Sequence, residues 1–289
     1  MPLSSRLRPW WLLATMLLAS ATFAQPTAGP STAAALRERH AQLATQLQNT
    51  PFLRPMVLQS SEDGDVLQGS IDAVVSQPFA LAREQLQQPA ALCEIMMLQL
   101  NTKQCTVAGS VLDARIGRKH DQPLKDAYRV AFNLQVQAAS AEYLSLRLAA
   151  DTGPFSTRDY RIQLQAIPLA GGNQTFLHLR YSYGIGMAAR LAMQGYLATL
   201  GAGKVGFTRS GSGYIGGMRG AVERNTMRYY LAIDAYLASL AAPPAQQRAK
   251  RLDAWFDATE QYARQLHEVE RVDYLAMKQS EFKRMGVAG

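Results

Sequence analysis

The sequence contains little cysteine and little histidine. Cys93 and Cys105 are the only cysteines among the 289 residues, and the four histidines are scattered along the chain. A metal site needs more ligands at closer spacing than this. A catalytic redox pair favours a C-x-x-C spacing, which is absent. We therefore predict no metal site and no cofactor, and the two cysteines need another explanation.

The common catalytic motifs are also missing. Neither a G-x-S-x-G elbow nor an H-E-x-x-H motif occurs in the sequence. The segment "LGAGKVG" resembles a phosphate-binding loop, but Ala198 stands where that motif requires glycine and Val205 stands where it requires serine or threonine. This segment is therefore interpreted as a flexible turn.

Long apolar runs are absent after the N-terminus. At the N-terminus, Arg6 and Arg8 precede the short apolar run "WLLATMLLAS", and the segment "ATFA" that follows ends at Ala24 with small residues at the positions that a signal peptidase reads. This run is shorter than the ~20 residues that a membrane-spanning helix needs. The pattern predicts a secretory signal peptide at 1–24, cleaved after Ala24, and a periplasmic or secreted mature protein.

Export gives the cysteine pair an explanation. Disulfide bonds form in oxidising compartments, and an even number of cysteines fits complete pairing. Cys93 and Cys105 are separated by twelve positions. A bridge that closes so short a loop stabilises the fold by roughly 3 kcal/mol. We predict one structural disulfide.

No long basic run accompanies the positive charge of the chain. The formal net charge is +8, and loss of Arg6 and Arg8 with the signal peptide lowers it to +6. The sequence contains no nucleic-acid-binding motif, so nucleic acid is not an expected partner. A transient contact with an anionic membrane surface is compatible with this charge. The sequence does not identify a protein partner.

Apolar periodicity divides the chain into segments. A helix is predicted over 33–49, a half-buried strand over 66–75, and a pair of short helices over 76–98, the second of which carries Cys93. Strands with period-two alternation follow up to Gly186, which indicates an antiparallel sheet. The period then changes to about 3.6, which predicts one helix after Gly186, a longer one over 218–240 and a further one from Arg248 that continues or bends through Phe282.

This order of elements resembles the START-like (SRPBCC) superfamily of lipid and hydrophobic-ligand carriers. The resemblance is carried by the segments "GSIDAVVSQPFALAREQLQQPAALCEIM", "LCEIMMLQLNTKQC" and "GGMRGAVERNTMRYYLAIDAYLASL". It implies an α+β helix-grip fold, in which a curved antiparallel sheet wraps around a long C-terminal helix. The expected organisation is a signal peptide (1–24), a linker and helix (25–54), a START-like domain (55–240) and a C-terminal helical extension (241–289).

The apolar face of the predicted sheet has two interpretations, a filled core or the wall of a ligand cavity. Several tyrosines on this face favour a cavity, because a buried hydroxyl without a hydrogen-bond partner costs roughly 1–3 kcal/mol. The charged residues Arg147, Arg161, His178 and Arg180 are predicted on the opposite face. The candidate ligand-binding residues are Tyr128, Phe132, Leu146, Tyr160, Ile162, Leu164, Leu179, Tyr181, Tyr183, Tyr230 and Ile233.

Three functional hypotheses follow from this sequence. The first is an exported, non-enzymatic binding protein for a lipid or another hydrophobic small molecule. The second is a cyclase-like or hydrolase-like enzyme of the same superfamily, which would require a titratable residue such as Asp113, Arg147 or His178 inside the cavity. The third is an interaction protein with a filled core.

Overall fold

The computed structural model describes residues 32–199, 201 and 203–286, so the predicted signal peptide at 1–24 lies outside the described residues. Eight strands form one sheet in the order β1-β2-β8-β7-β6-β5-β4-β3, and every neighbouring pair is antiparallel. These strands are β1 (Met56–Asp63), β2 (Val66–Val75), β3 (Thr102–Ala108), β4 (Val111–Ile116), β5 (Tyr128–Ala139), β6 (Leu144–Thr152), β7 (Thr157–Pro168) and β8 (Thr175–Ile185).

Helices cover both faces of the sheet. They are α1 (Ala33–Gln48), α2 (Phe79–Leu86), α3 (Pro89–Met97), α4 (Met187–Ala198), α5 (Gly217–Ser239), α6 (Pro244–Glu260), α7 (Ala263–Leu266) and α8 (Arg271–Arg284); β9 (Arg209–Ser210) and β10 (Gly213–Tyr214) form a small ribbon before α5. The long helix α5 packs against β1, β2 and β8. This arrangement confirms the predicted α+β helix-grip fold. Among the described residues, every helix is too short or too polar to span a membrane.

The period-two alternation of the strands determines which side chains face α5. On β8, Leu177, Leu179 and Tyr181 belong to the main hydrophobic core, whereas Phe176 and His178 lie on the other face. The same separation holds on β7, where Ile162, Leu164 and Ala166 belong to the main core. Successive side chains of a strand point to opposite faces, so this alternation places the apolar set inward as the sequence predicted.

Helix α1 packs on the outer face of the sheet, and this confirms the N-terminal helix that the sequence predicted. Leu36, Leu43 and Leu47 bury their side chains against an outer-face cluster that includes Tyr143, Ile167 and Phe176. A polar contact fixes the same helix. Both oxygens of the buried Asp72 carboxylate accept hydrogen bonds of 2.6 Å from Arg39, and His178 Nδ1 lies 2.8 Å from Asp72 Oδ1.

The disulfide between Cys93 and Cys105 is present, with 5.4 Å between the two Cα atoms. It joins α3 to β3, two elements that are consecutive in the chain. The prediction of one structural bridge is confirmed. The bridge fixes the turn at 98–101, and this turn forms one wall of a cavity.

The C-terminal extension is more broken than the sequence predicted. The helix expected from Arg248 begins at Pro244 and ends at Glu260, and α7 and α8 follow as separate helices. Helix α8 is attached to the domain by a buried ionic cluster. Glu281 accepts hydrogen bonds from Lys103 at 2.9 Å and from Lys278 at 2.8 Å, and all three side chains are fully buried.

Strand β1 is an element that the sequence analysis missed. Its sequence, "MVLQSSED", contains few apolar residues, and its second half is mostly exposed. The strand lies at the edge of the sheet and pairs only with β2 among the described strands. An edge strand with one covered end needs little apolar alternation, which explains why the pattern was weak.

Candidate functional site

A small cavity of about 60 Å³ lies between the sheet and α5. Three parts of the chain form its wall: β8, α5 and the turn between α3 and β3, with an additional residue from the loop after β4. The lining residues are Gln99, Leu100, Asn101, Lys119, Tyr181, Asn225, Arg228 and Tyr229. Such a volume has room for a few water molecules or one small polar group. The wall is polar, although the surrounding core is apolar.

The turn that contributes Gln99, Leu100 and Asn101 is held on two sides. On one side, the Gln99 side-chain amide donates to the carbonyl oxygen of Arg228 on α5 at 3.0 Å. On the other side, Lys103 donates to the Leu100 carbonyl at 2.7 Å, and Lys278 of α8 donates to the carbonyls of Gln99 and Thr102. The C-terminal extension therefore fixes one wall of the cavity.

Aromatic rings form the part of the core that adjoins the cavity. Tyr181 contacts Tyr229, Tyr183 and Tyr160, with ring centroids 5.4, 5.4 and 6.3 Å apart respectively. The Tyr160 hydroxyl lies 2.7 Å from the Thr157 hydroxyl. Burial raises the pKa of Tyr181 well above its ordinary value, and it also raises the pKa of Tyr229. These hydroxyls therefore stay protonated at neutral pH and can donate hydrogen bonds.

Three cations surround one carboxylate beside the cavity. Glu268 accepts from Lys119 at 2.6 Å and from Lys204 and Arg228 at 2.8 Å each. Burial alone would raise the pKa of Glu268, but the charges of Lys119 and Arg228 and the bonds from Lys119 and Lys204 lower it to about 2. Burial and the charge of Arg228 lower the pKa of Lys119 to about 8. At neutral pH this cluster carries two more positive charges than negative ones.

An open groove of about 450 Å³ adjoins the cavity at Lys119, which lines both. One wall of the groove is the segment 119–121, and the other is α8 with the residue Val269 before it. Ala276 and Met277 give α8 an apolar surface here, while Asp121 and Asp273 stand at the walls. The Asp121 carboxylate is paired with Arg284 at 2.9 Å.

The structure separates the candidate ligand-binding residues into groups. Tyr181 lines the cavity, and Tyr160, Tyr183 and Phe132 belong to the ring cluster behind it. Six residues are buried in the main core and are not among the residues that line the cavity: Leu146, Ile162, Leu164, Leu179, Ile233 and Tyr230.

Two of the predicted positions lie away from the cavity. Tyr128 is 46% exposed and packs on Phe155 with 5.1 Å between ring centroids, because it lies at the first residue of β5, beyond the part of the sheet that α5 covers. Tyr230 is directed toward Arg54 and Asp234. Consecutive helix residues point about 100° apart, so Tyr229 occupies the cavity wall in its place.

The strand residues that would have supported an acid–base enzyme lie away from the cavity. His178 is on the outer face under α1. Arg147 follows the outward register of β6, opposite Gln135 and Gln163. Asp113 is paired with Arg129 at 2.7 Å on the outer side of β4. The charged residues that do reach the cavity come from α5 and from a loop, where strand parity gives no information.

Comparisons with known proteins find likeness in structure only. No family model matches the chain, and no curated protein matches it at a significant level. Among solved structures, it is similar to a START superfamily protein from Mycobacterium smegmatis, with 12% identity over 51% of this chain and 88% of that one and a TM-score of 0.31.

Two further solved structures show similarity at the same level. One is norcoclaurine synthase from Thalictrum flavum, with 11% identity, 51% and 82% coverage and a TM-score of 0.31. The other is a conserved protein of unknown function from Enterococcus faecalis, with 8% identity, 85% and 98% coverage and a TM-score of 0.29.

The class of the fold follows from the chain itself. One curved antiparallel sheet holds the long helix α5 on its inner face, with the helical pair α2 and α3 inserted between β2 and β3. This is the helix-grip fold that the sequence resemblance implied.

Proposed function

We propose that the protein is an exported, non-enzymatic binding protein for an amphipathic, lipid-like small molecule. The observation that carries the proposal is that Lys119 lines two neighbouring spaces of different character. One is the polar cavity lined by Tyr181 and Arg228, and the other is the open groove with apolar side chains of α8. A ligand with one polar end and one apolar end matches this pair of surfaces.

The dimensions decide which part of the ligand lies where. A cavity of about 60 Å³ accepts a polar end group but no hydrocarbon chain. The groove of about 450 Å³ offers the side chains of Val269, Ala276 and Met277 to the apolar part. Burial of hydrocarbon there contributes about 25 cal/mol per Å² of apolar surface, which is the main favourable term in this proposal.

The chemistry of the site supports binding more than catalysis. With its pKa held near 2, Glu268 is a weak base at neutral pH. The tyrosine hydroxyls beside it stay protonated because burial raises their pKa. Glu268 and the tyrosines therefore keep one protonation state near neutral pH and can hold a ligand by hydrogen bonds, and Lys119, with a pKa of about 8, is the group of the cavity wall that titrates nearest to neutral pH.

The experiment is native mass spectrometry of protein purified gently from the exported compartment, together with titration of a fluorescent fatty acid. We expect a co-purified small molecule and saturable uptake of the probe. The intact mass also checks the predicted cleavage, because it should equal the mass of a chain that begins at Gln25. Bare protein that also takes up no probe would contradict the binding function.

A pair of variants on α8 locates the ligand. Ala276→Glu places a charge in the groove and is expected to weaken uptake of the probe. Val272→Glu places the same charge on a 71% exposed position of the same helix that does not line the groove, so uptake should be unchanged. If the two variants take up the probe equally, the apolar part of the ligand does not bind in this groove.

A second candidate, an interaction protein with a filled core, is favoured by the same small volume. Phe132 and the tyrosine rings pack against one another beside the cavity, with ring centroids 5.4 to 6.3 Å apart. If the exported protein carries no small molecule and takes up no probe, this candidate replaces the first.

A further inference from the structure

We infer that the polar end of the ligand is a small anion of the carboxylate class, held between Lys119 and the tyrosine hydroxyls of the cavity. The inference rests on the proposed binding function and adds the chemical class of the ligand to it. Its basis is the charge and the hydrogen-bonding character of the cavity wall.

The charge balance of the site is positive. Lys119, Lys204 and Arg228 each pair with the carboxylate of Glu268, and the formal charges of these four side chains sum to +2. Glu268 itself is not among the residues that line the cavity, whereas Lys119 and Arg228 are. An anion in the cavity would reduce this excess charge without displacing any ion pair of the cluster.

The remaining wall supplies hydrogen-bond donors. Tyr181 and Tyr229 bring hydroxyl groups, and Asn101 and Asn225 bring amides. A carboxylate accepts hydrogen bonds only, and donors that are charged or fixed in place bind it more strongly than neutral, mobile ones. Among the described lining residues there is no aspartate or glutamate that would repel it.

The groove fixes the orientation of the ligand. Asp273 stands at its wall, and the second carboxylate there, Asp121, is already paired with Arg284, so an anionic group in the groove would face the like charge of Asp273. Lys119 is the lysine among the lining residues of the groove, and it stands at the end that meets the cavity. The anion therefore lies at the cavity end, and the apolar part extends past Lys119 along α8.

The test compares three probes by isothermal titration calorimetry: decanoate, its uncharged analogue decanol, and the short anion butyrate. We expect decanoate to bind about tenfold more tightly than either of the other two, because it alone engages both surfaces. Decanol binding as tightly as decanoate would overturn the inference and leave the binding function intact. Butyrate binding as tightly as decanoate would assign the site to a free small anion and overturn the role of the groove. Absence of binding by all three would contradict both.

Lys119→Met tests the named contact, because it removes one charge from a side chain that is 42% exposed and keeps most of the aliphatic stem. We expect about tenfold weaker decanoate binding and unchanged decanol binding. Lys125→Met is the matched control, since this exposed lysine lies six residues further along the same connection. Equal decanoate affinity of the two variants, with thermal melts like that of the wild type, would overturn the inference.

Discussion

Gly69 on β2 packs directly against Thr226 on α5. A methyl group added at Gly69 would lie 3.1 Å from Thr226 Cβ, closer still to its hydroxyl, and 3.4 Å from the Val222 carbonyl oxygen. The Thr226 hydroxyl is already bonded to that carbonyl at 2.8 Å, so it has little freedom to move aside. The sheet and α5 therefore approach each other closely here because residue 69 has no side chain.

We predict that Gly69→Ala destabilises the fold by roughly 1–3 kcal/mol, the usual cost of an extra methyl group in a tightly packed interface. Urea unfolding followed by circular dichroism measures the change. Gly195→Ala is the control, because a Cβ there meets nothing within 4 Å and alanine is the better helix former in α4. A Gly69→Ala variant as stable as the wild type would contradict the close approach.

The main sheet was predictable because burial follows strand parity. Leu146, Leu148, Ile162 and Leu164 alternate with polar residues, and the structure buries all four. Parity does not indicate where a covering helix ends. Tyr128 has the correct parity but is the first residue of β5 and is exposed. An edge strand such as β1 is harder to predict, because only its first residue, Met56, is fully buried.

The charged part of the site was not predictable from local patterns. Lys119 and Glu268 are 149 positions apart, and both lie in connections without periodicity. Lys103 looks like an ordinary polar strand residue in the sequence, yet it is fully buried because Glu281 reaches it from α8. One usable signal was the adjacent pair Tyr229 and Tyr230, since two neighbouring helix residues point about 100° apart and therefore face different parts of the core.

Reduction of the disulfide should loosen the cavity wall. Cys93 and Cys105 close a loop of twelve positions around the turn that carries Gln99 and Asn101. We predict that a Cys93→Ala/Cys105→Ala variant loses about 3 kcal/mol of unfolding free energy. Guanidinium unfolding with and without reductant measures this. Reductant should destabilise the wild type and leave the variant unchanged; a wild type indifferent to reductant would contradict the structural role of the bridge.

The two variants Lys278→Met and Glu281→Gln should differ strongly in stability, although they alter the same buried cluster. Glu281→Gln leaves the ammonium groups of Lys103 and Lys278 buried without their carboxylate, which costs roughly 3–5 kcal/mol. Lys278→Met removes the second ion pair of Glu281 and two bonds to backbone carbonyls, but Lys103 still compensates the charge of Glu281, so the loss is about 1–2 kcal/mol. Urea unfolding at pH 7 compares them, and equal losses would show that Glu281 does not anchor α8.

Acid should weaken the fold through Glu268. The folded-state pKa of this carboxyl is lowered to about 2 from 4.5, after the charges of Lys119 and Arg228 outweigh the opposing effect of burial. Because the folded-state pKa is depressed, the stabilisation is fully present above pH 4.5 and is lost as the pH falls toward 2, to a total of at most about 3 kcal/mol. Urea unfolding at a series of pH values should therefore show a shallower acid decline for Glu268→Gln than for the wild type. Glu142→Gln, which alters an exposed pair with Arg37, should keep the wild-type decline. If Glu268→Gln and the wild type lose stability in parallel below pH 4.5, the three cations do not stabilise the ionised form of Glu268, and the positive excess assigned to the cavity loses its basis.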